Sequence, residues 1–139
     1  MRARLEMDLW YPRDPEIIPE PLIINAACAV ILFKPKIAAQ KILSGMLSVL
    51  ELPRKEYMIV RINSDKPDLE KINKKLQLWQ PMTILQLSME LPVVTHAGNV
   101  VITFSPEHLQ DNPQDKARAY KDLLSLRNIL HHGTANRHT

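Results

Sequence analysis

Residues 29–35 read AVILFKP, five apolar residues in a row closed by a lysine and a proline. A short unbroken apolar run marks a strand covered on both faces, because a strand with one wet face alternates instead. Strands of that kind belong to parallel sheets, whose crossover connections lay helices over both faces. The residues that follow supply such connections. Pro35 suits a first helical turn, and Ala38, Ile42, Met46 and Val49, flanked by Leu43, Leu47 and Leu50, recur at helical spacing until Leu52-Pro53. Glu56 to Ile62 is β-branched and apolar enough for a second strand, and the polar run from Asn63 to Pro67 turns the chain.

The alternation continues. Asp68 to Trp79 predicts a second helix with Leu69, Ile72, Leu76 and Trp79 inward and Lys71, Lys74 and Lys75 on a solvated face. Gln80-Pro81 breaks it, Met82 to Leu87 reads as a third strand, and Gly98-Asn99 turns into a fourth at Val100 to Phe104. Ser105-Pro106 ends that strand. The last helix is expected from about Gln114 to Leu130, with Tyr120, Leu123, Leu124, Arg127 and Leu130 along one stripe, and the polar HHGTANRHT that closes the chain as a frayed tail. The expectation is therefore a three-layer α/β domain over residues 28–131, a mainly parallel four-stranded sheet flanked by helices and joined by right-handed crossovers, with a disordered tail at 132–139.

Ahead of it, residues 9–21 read LWYPRDPEIIPEP, four of the eleven prolines in thirteen residues together with Trp10, Tyr11, Ile17 and Ile18. Proline lacks the N–H that a helix interior or a central strand requires. Residues 1–27 are expected to be a flexible, extended arm whose large side chains anchor it to a partner.

Composition bounds the possibilities. At 139 residues, 45% hydrophobic and 24% charged, the chain is expected to be one soluble domain, and no apolar run approaches the ~20 residues that span a bilayer. MRARLEMDLW lacks the apolar core and small-residue cleavage site of a secretory signal, so the cytoplasm is the expected location. One cysteine, Cys28, excludes an internal disulfide and reads as a buried small hydrophobe. The net charge of +3 is modest and its lysines and arginines are scattered, which does not favour strong direct nucleic-acid binding.

The carboxyl ends of the strands are where chemistry is expected, and little is there. Lys34-Pro35-Lys36 follows the first strand, with no glycine-rich phosphate loop and no acid for a metal or phosphoacceptor. Asn63, Ser64 and Asp65 follow the second and read as a turn. Ser105 has no G-x-S-x-G setting and reads as a helix N-cap or a turn. Histidines 96, 108, 131, 132 and 138 lack metal-ligand spacing and read as structural or solvated, so no cofactor or metal is expected. Trp79 reads as core rather than as a base-stacking platform.

The order Val101-Ile-Thr-Phe-Ser-Pro106, Leu109, Asn112-Pro113, Lys116-Ala117 and Tyr120 to Leu124 resembles the last strand and helix of the uracil-DNA glycosylase-like superfamily, and Met46 to Leu52 and Leu78-Trp-Gln-Pro81 agree in position. Active members carry a histidine just before that proline and a glycine- and proline-rich motif with a water-activating group after the first strand; here stand Ser105 and Phe33-Lys34-Pro35. A hydroxyl cannot stabilise a departing anion as an imidazole does. The resemblance implies the fold without the enzyme.

Within the superfamily the chain resembles the psi subunits of bacterial DNA polymerase III holoenzyme, which share the Ser-Pro ending and a Trp-x-x-Arg-x-Pro pattern in an N-terminal arm, matched by Trp10, Arg13 and Pro15. That resemblance implies a non-catalytic connector. The arm, through Trp10, Arg13, Pro15, Ile17 and Ile18, would hold the tau or gamma subunits of the clamp-loader collar. The domain would hold the chi subunit, and through it single-stranded-DNA-binding protein, with Leu91, Val93 and Tyr120 as candidates for that surface. Arg13 alone would carry any weak primer–template contact, because Asp14 and Glu16 make this arm less basic than the family pattern. A divergent uracil or damaged-base glycosylase, and a psi-like adaptor in another complex, are the alternatives.

Overall fold

The computed structural model describes residues 15–92, 94 and 98–137, with side chains through His131. Five strands form one sheet: β1 (Ile17–Glu20), β2 (Cys28–Phe33), β3 (Tyr57–Ile62), β4 (Thr83–Leu87) and β5 (Asn99–Thr103). Four helices accompany them: α1 (Gln40–Val49), α2 (Leu69–Trp79), α3 (Pro106–Asp111) and α4 (Lys116–Arg137). The strand order is β1-β3-β2-β4-β5, with β2 parallel to both β3 and β4, β5 parallel to β4, and β1 antiparallel to β3.

The reading of AVILF holds: every residue from Cys28 to Leu32 is essentially inaccessible. Its side chains alternate between two apolar layers. Ala29 and Ile31 join Met58, Val60, Ile62 and Ile84 under α2, which contributes Ile72, Leu76 and Trp79. Cys28, Val30 and Leu32 face the other way, onto Leu43 and Met46 of α1 and Ala119, Leu123 and Leu126 of α4. Local chemistry sets the boundaries of α2. The Asp68 carboxylate accepts the Lys71 N–H at 3.2 Å, an N-cap of the kind that stabilises a helix by about 1 kcal/mol, and Gln80 stops the helix in a left-handed conformation, φ 50°.

The α/β class holds, and three of the four strand pairings are parallel, but the sheet has five strands rather than four and β1 makes it mixed. The added strand comes from the segment expected to be a free arm. Ile17 and Glu20 pair with Ile62 and Ile59, and Pro19 lies opposite Val60. The prolines do exclude a central strand, but β1 is an edge, where a residue without an N–H leaves only the outer side unpaired. Ile17 packs into the α2-side core at 4% exposure. Side chains fasten the strand further. Arg54 donates from Nη2 to the Glu20 carbonyl at 2.6 Å and from Nη1 to the Tyr57 carbonyl at 2.7 Å while lying over the Tyr57 ring, and Arg61 Nε sits 2.9 Å from Glu20 Oε2. Residues 17–20 therefore belong to the folded body, which includes chain upstream of residue 28.

Three smaller differences have physical causes. Pro106 to Asp111, unassigned from sequence, is a short helix capped by Ser105 with proline in its first turn. On α1 the stripe is rotated by one residue, so that Leu43, Met46 and Leu50 enter the core while Ile42 and Val49 are only partly covered. Helix α4 continues through Arg137, into the segment expected as a tail.

Candidate functional site

The carboxyl ends of β2, β4 and β5 open onto a cleft of about 450 Å³. Phe33, Lys34 and Lys36 form one wall, Ser88 to Glu90 a second, and Phe104, Ser105, Glu107 and His108 with Asp111 and Asn112 a third. Each wall follows from local sequence. Lys34 leaves β2 at φ 48°, a left-handed conformation that a non-glycine residue adopts only against steric resistance, and its ammonium pairs with Asp65 in the turn after β3. That ion pair holds the exposed Asp65 carboxyl below its ordinary range, by hydrogen bonding first and by charge second. The Lys36 N–H donates to Glu107 Oε2 at 3.2 Å, joining the first wall to the third.

On the third wall Ser105 Oγ accepts the His108 N–H at 3.1 Å. The His108 ring stacks on Phe104, the rings nearly parallel with centroids 4.6 Å apart, and its Nε2 lies 2.7 Å from Asp115 Oδ2. Arg118 covers the Phe104 ring at 5.6 Å. The hydroxyl, the imidazole and the lysine ammonium at this edge are thus each engaged with a neighbouring side chain or backbone group.

The second wall hangs on Gln86. This amide is fully buried in β4, donates from Nε2 to the carbonyls of Ser88 and Leu91 at 3.0 Å each, and accepts the Val94 N–H at 3.3 Å. Leu91, expected as a chi-facing residue, is buried at 5% exposure under this loop and joins the α2-side core. It cannot meet a partner without unfolding the segment. Val93 lies outside the described residues. Tyr120 is half exposed, on the rim of a hollow between α1 and α4, so that of the two described candidates it is the one at the surface.

Of the collar candidates, Trp10 and Arg13 lie outside the described residues, and Pro15 is exposed just before β1. Ile17 is buried in the core and so has no side-chain surface to offer a partner, contrary to its expected role as an anchor. Ile18, across from Arg61 on the edge strand, is partly covered. Among the described residues no group of three or more His, Cys, Asp and Glu side chains is placed to hold a metal ion. His96 lies outside the described residues, as do the side chains of His132 and His138, and His131 is exposed. Cys28 is buried in β2, where desolvation pushes its thiol up to about 11 despite hydrogen bonds from Thr83 and Leu85. No described helix is long and apolar enough to cross a membrane.

Two contributors were not singled out in sequence. A lone glutamine inside the apolar run TILQL was the available signal for Gln86. The His108–Asp115 contact had none, because it depends on the break at Asn112-Pro113 that folds α3 back beside the start of α4. Searches against protein-family models, curated proteins and solved structures return no match to this chain.

Proposed function

We propose that this protein is a non-catalytic connector of the psi-subunit type, joining the tau or gamma collar of a clamp loader to the chi subunit and so to single-stranded-DNA-binding protein. The observation that supports it most is the state of Ser105. In the active glycosylase pattern an imidazole at this position faces the leaving base, whereas the Ser105 hydroxyl caps α3 and the residue after β2 is a lysine tied to Asp65. A cleft whose hydroxyl, imidazole and Lys34 ammonium are each engaged by neighbours has little of them left with which to stabilise developing charge. Partner binding is then assigned to Trp10 and Arg13 for the collar and to the surface around Tyr120 for chi. A psi-like adaptor serving a different complex would use the same residues.

Titration of the full chain against isolated collar subunits and against chi tests this reading. Micromolar or tighter binding to both is expected. Trp10→Ala should weaken collar binding at least tenfold, since a buried tryptophan anchor contributes about 2 kcal/mol or more, and should leave the melting temperature unchanged. Absence of binding to either partner overturns the reading. One observation favours the glycosylase alternative: His108 lies on the cleft three residues beyond Ser105, with a carboxylate behind it. Base release from uracil-containing DNA that is abolished by His108→Ala would establish that alternative.

A further inference from the structure

The hollow beside Tyr120 is a groove of about 370 Å³ between α1 and α4. Both helices leave the carboxyl edge of the sheet and run in the same direction, since Lys41 and Lys116 begin them on the groove's rim while Glu51, just past α1, pairs with Arg127 of α4 at 3.4 Å. The groove is therefore polar in the directional sense. Two cations stand at one end and an ion pair ties the helices together toward the other. Its walls are Ile42 and Val49 on one side and Ala119 and Tyr120 on the other. No acidic side chain lines it, and neither Lys41 nor Lys116 enters a salt bridge among the described residues.

Gly45 gives the groove its depth. It sits in the middle of α1, where glycine is a poor helix former, and a Cβ built there meets nothing within 4 Å. Core packing does not require the absence of a side chain at this position. What a side chain would do is fill the notch between Ile42, Met46 and Val49.

We infer that this groove is a docking site for one amphipathic helix of a partner protein, whose apolar row lies along α1 and α4 with a large side chain in the Gly45 notch, and whose acidic end seats over Lys41 and Lys116. The span from Ile42 to Val49 is about 10 Å at 1.5 Å per residue, enough for two turns of a bound helix. Helix-in-groove recognition reads apolar anchors at i, i+3, i+4 and i+7, and this length accommodates one such set. The charge asymmetry selects the occupant. A second copy docking this same lining would offer the two lysines no acidic side chain, whereas a helix with acidic residues, or its own negative C-terminal end, at that position is attracted. The inference stands on the groove alone, so that helix binding here without any collar binding would leave it intact and overturn the connector reading.

Selection against the full-length protein from a displayed library of amphipathic peptides of about fourteen residues tests it. Enriched peptides should carry Asp or Glu at one end only, bind with micromolar affinity, and shift the NMR signals of Gly45, Ala119 and Tyr120. Gly45→Leu should weaken the best peptide at least tenfold without lowering the melting temperature. Lys41→Glu combined with Lys116→Glu should weaken it similarly and be rescued by a peptide with lysines in place of the acids. Peptides without acidic bias, binding indifferent to Gly45→Leu, or no enrichment would overturn the inference. So would sedimentation showing a dimer that Gly45→Leu dissolves, which would make a second copy the occupant.

Discussion

Replacing Ile17 with alanine separates a strand that belongs to the fold from an arm that only reaches out of it. The side chain is 4% exposed, lies opposite Ile62 and packs in the cluster that includes Val60, Ile72 and Leu76. Truncation of a buried isoleucine to alanine costs about 2–5 kcal/mol, the spread reflecting how far the site collapses. An edge strand yields more readily than a central one, which places the expected loss near the lower end, about 2–3 kcal/mol. For a domain of this size each kcal/mol moves the melting temperature by about 3–4 °C, so a fall of roughly 10 °C is expected. Ile18→Ala, on the opposite side of the strand and only partly covered, should cost under about 1 kcal/mol. Thermal and urea melts followed by far-ultraviolet circular dichroism read both variants. At a temperature where both remain folded, neither should change collar affinity as Trp10→Ala does. A melting temperature for Ile17→Ala within about 2 °C of the parent would refute the docked strand and return residues 17–20 to the arm.

Gly45→Ala should stabilise the fold by about 0.5–1 kcal/mol, because α1 then gains helix propensity at a site with room for the methyl group; a destabilised variant in a urea melt would contradict the open notch. Gln86→Leu leaves the Ser88 and Leu91 carbonyls and the Val94 N–H without their side-chain partner, and should cost about 2–4 kcal/mol while speeding amide exchange across residues 88–94. The Cys28 thiol, raised from 9.0 to about 11, should resist a thiol reagent at pH 8 until the protein unfolds. Since the folded state holds that proton more tightly than the unfolded state, its contribution to stability is intact below pH 9 and is lost as the pH rises toward 11, which melts at stepped alkaline pH would detect against Cys28→Ala. Lys34→Met should return the Asp65 carboxyl to the ordinary range in a carbon-detected NMR titration; an unmoved midpoint would mean that the ion pair is not its cause.

The strands covered on both faces were legible because double burial leaves an unbroken apolar run, as in AVILF. The helices α1 and α2 were legible because one-sided burial leaves a period. Strand β1 was not, for a reason specific to its place. An edge strand with one buried residue, Ile17, and a proline at its centre carries neither an apolar run nor an alternation, and its pairing with β3 is a contact across some forty residues of sequence. The cleft was half legible. Ser105 as a cap and the absence of a phosphate loop follow from residue types alone, whereas the Lys34–Asp65 ion pair and the His108–Asp115 contact join positions that only the folded chain brings together. Apolar candidates such as Leu91 and Tyr120 looked alike in sequence; the buried amide of Gln86 holds Leu91 under a loop, whereas Tyr120 lies half exposed on α4 beside the groove.

The seam between β1 and β3 also sets a leash length. Had the free segment run to residue 27, Trp10 would have been able to reach roughly 60 Å from the body, at about 3.5 Å per extended residue. With the chain clamped from Ile17 onward, the same arithmetic allows about 25 Å. A collar contact at Trp10 of the kind proposed would then fall within about 25 Å of Ile17, on the scale of one small domain's diameter.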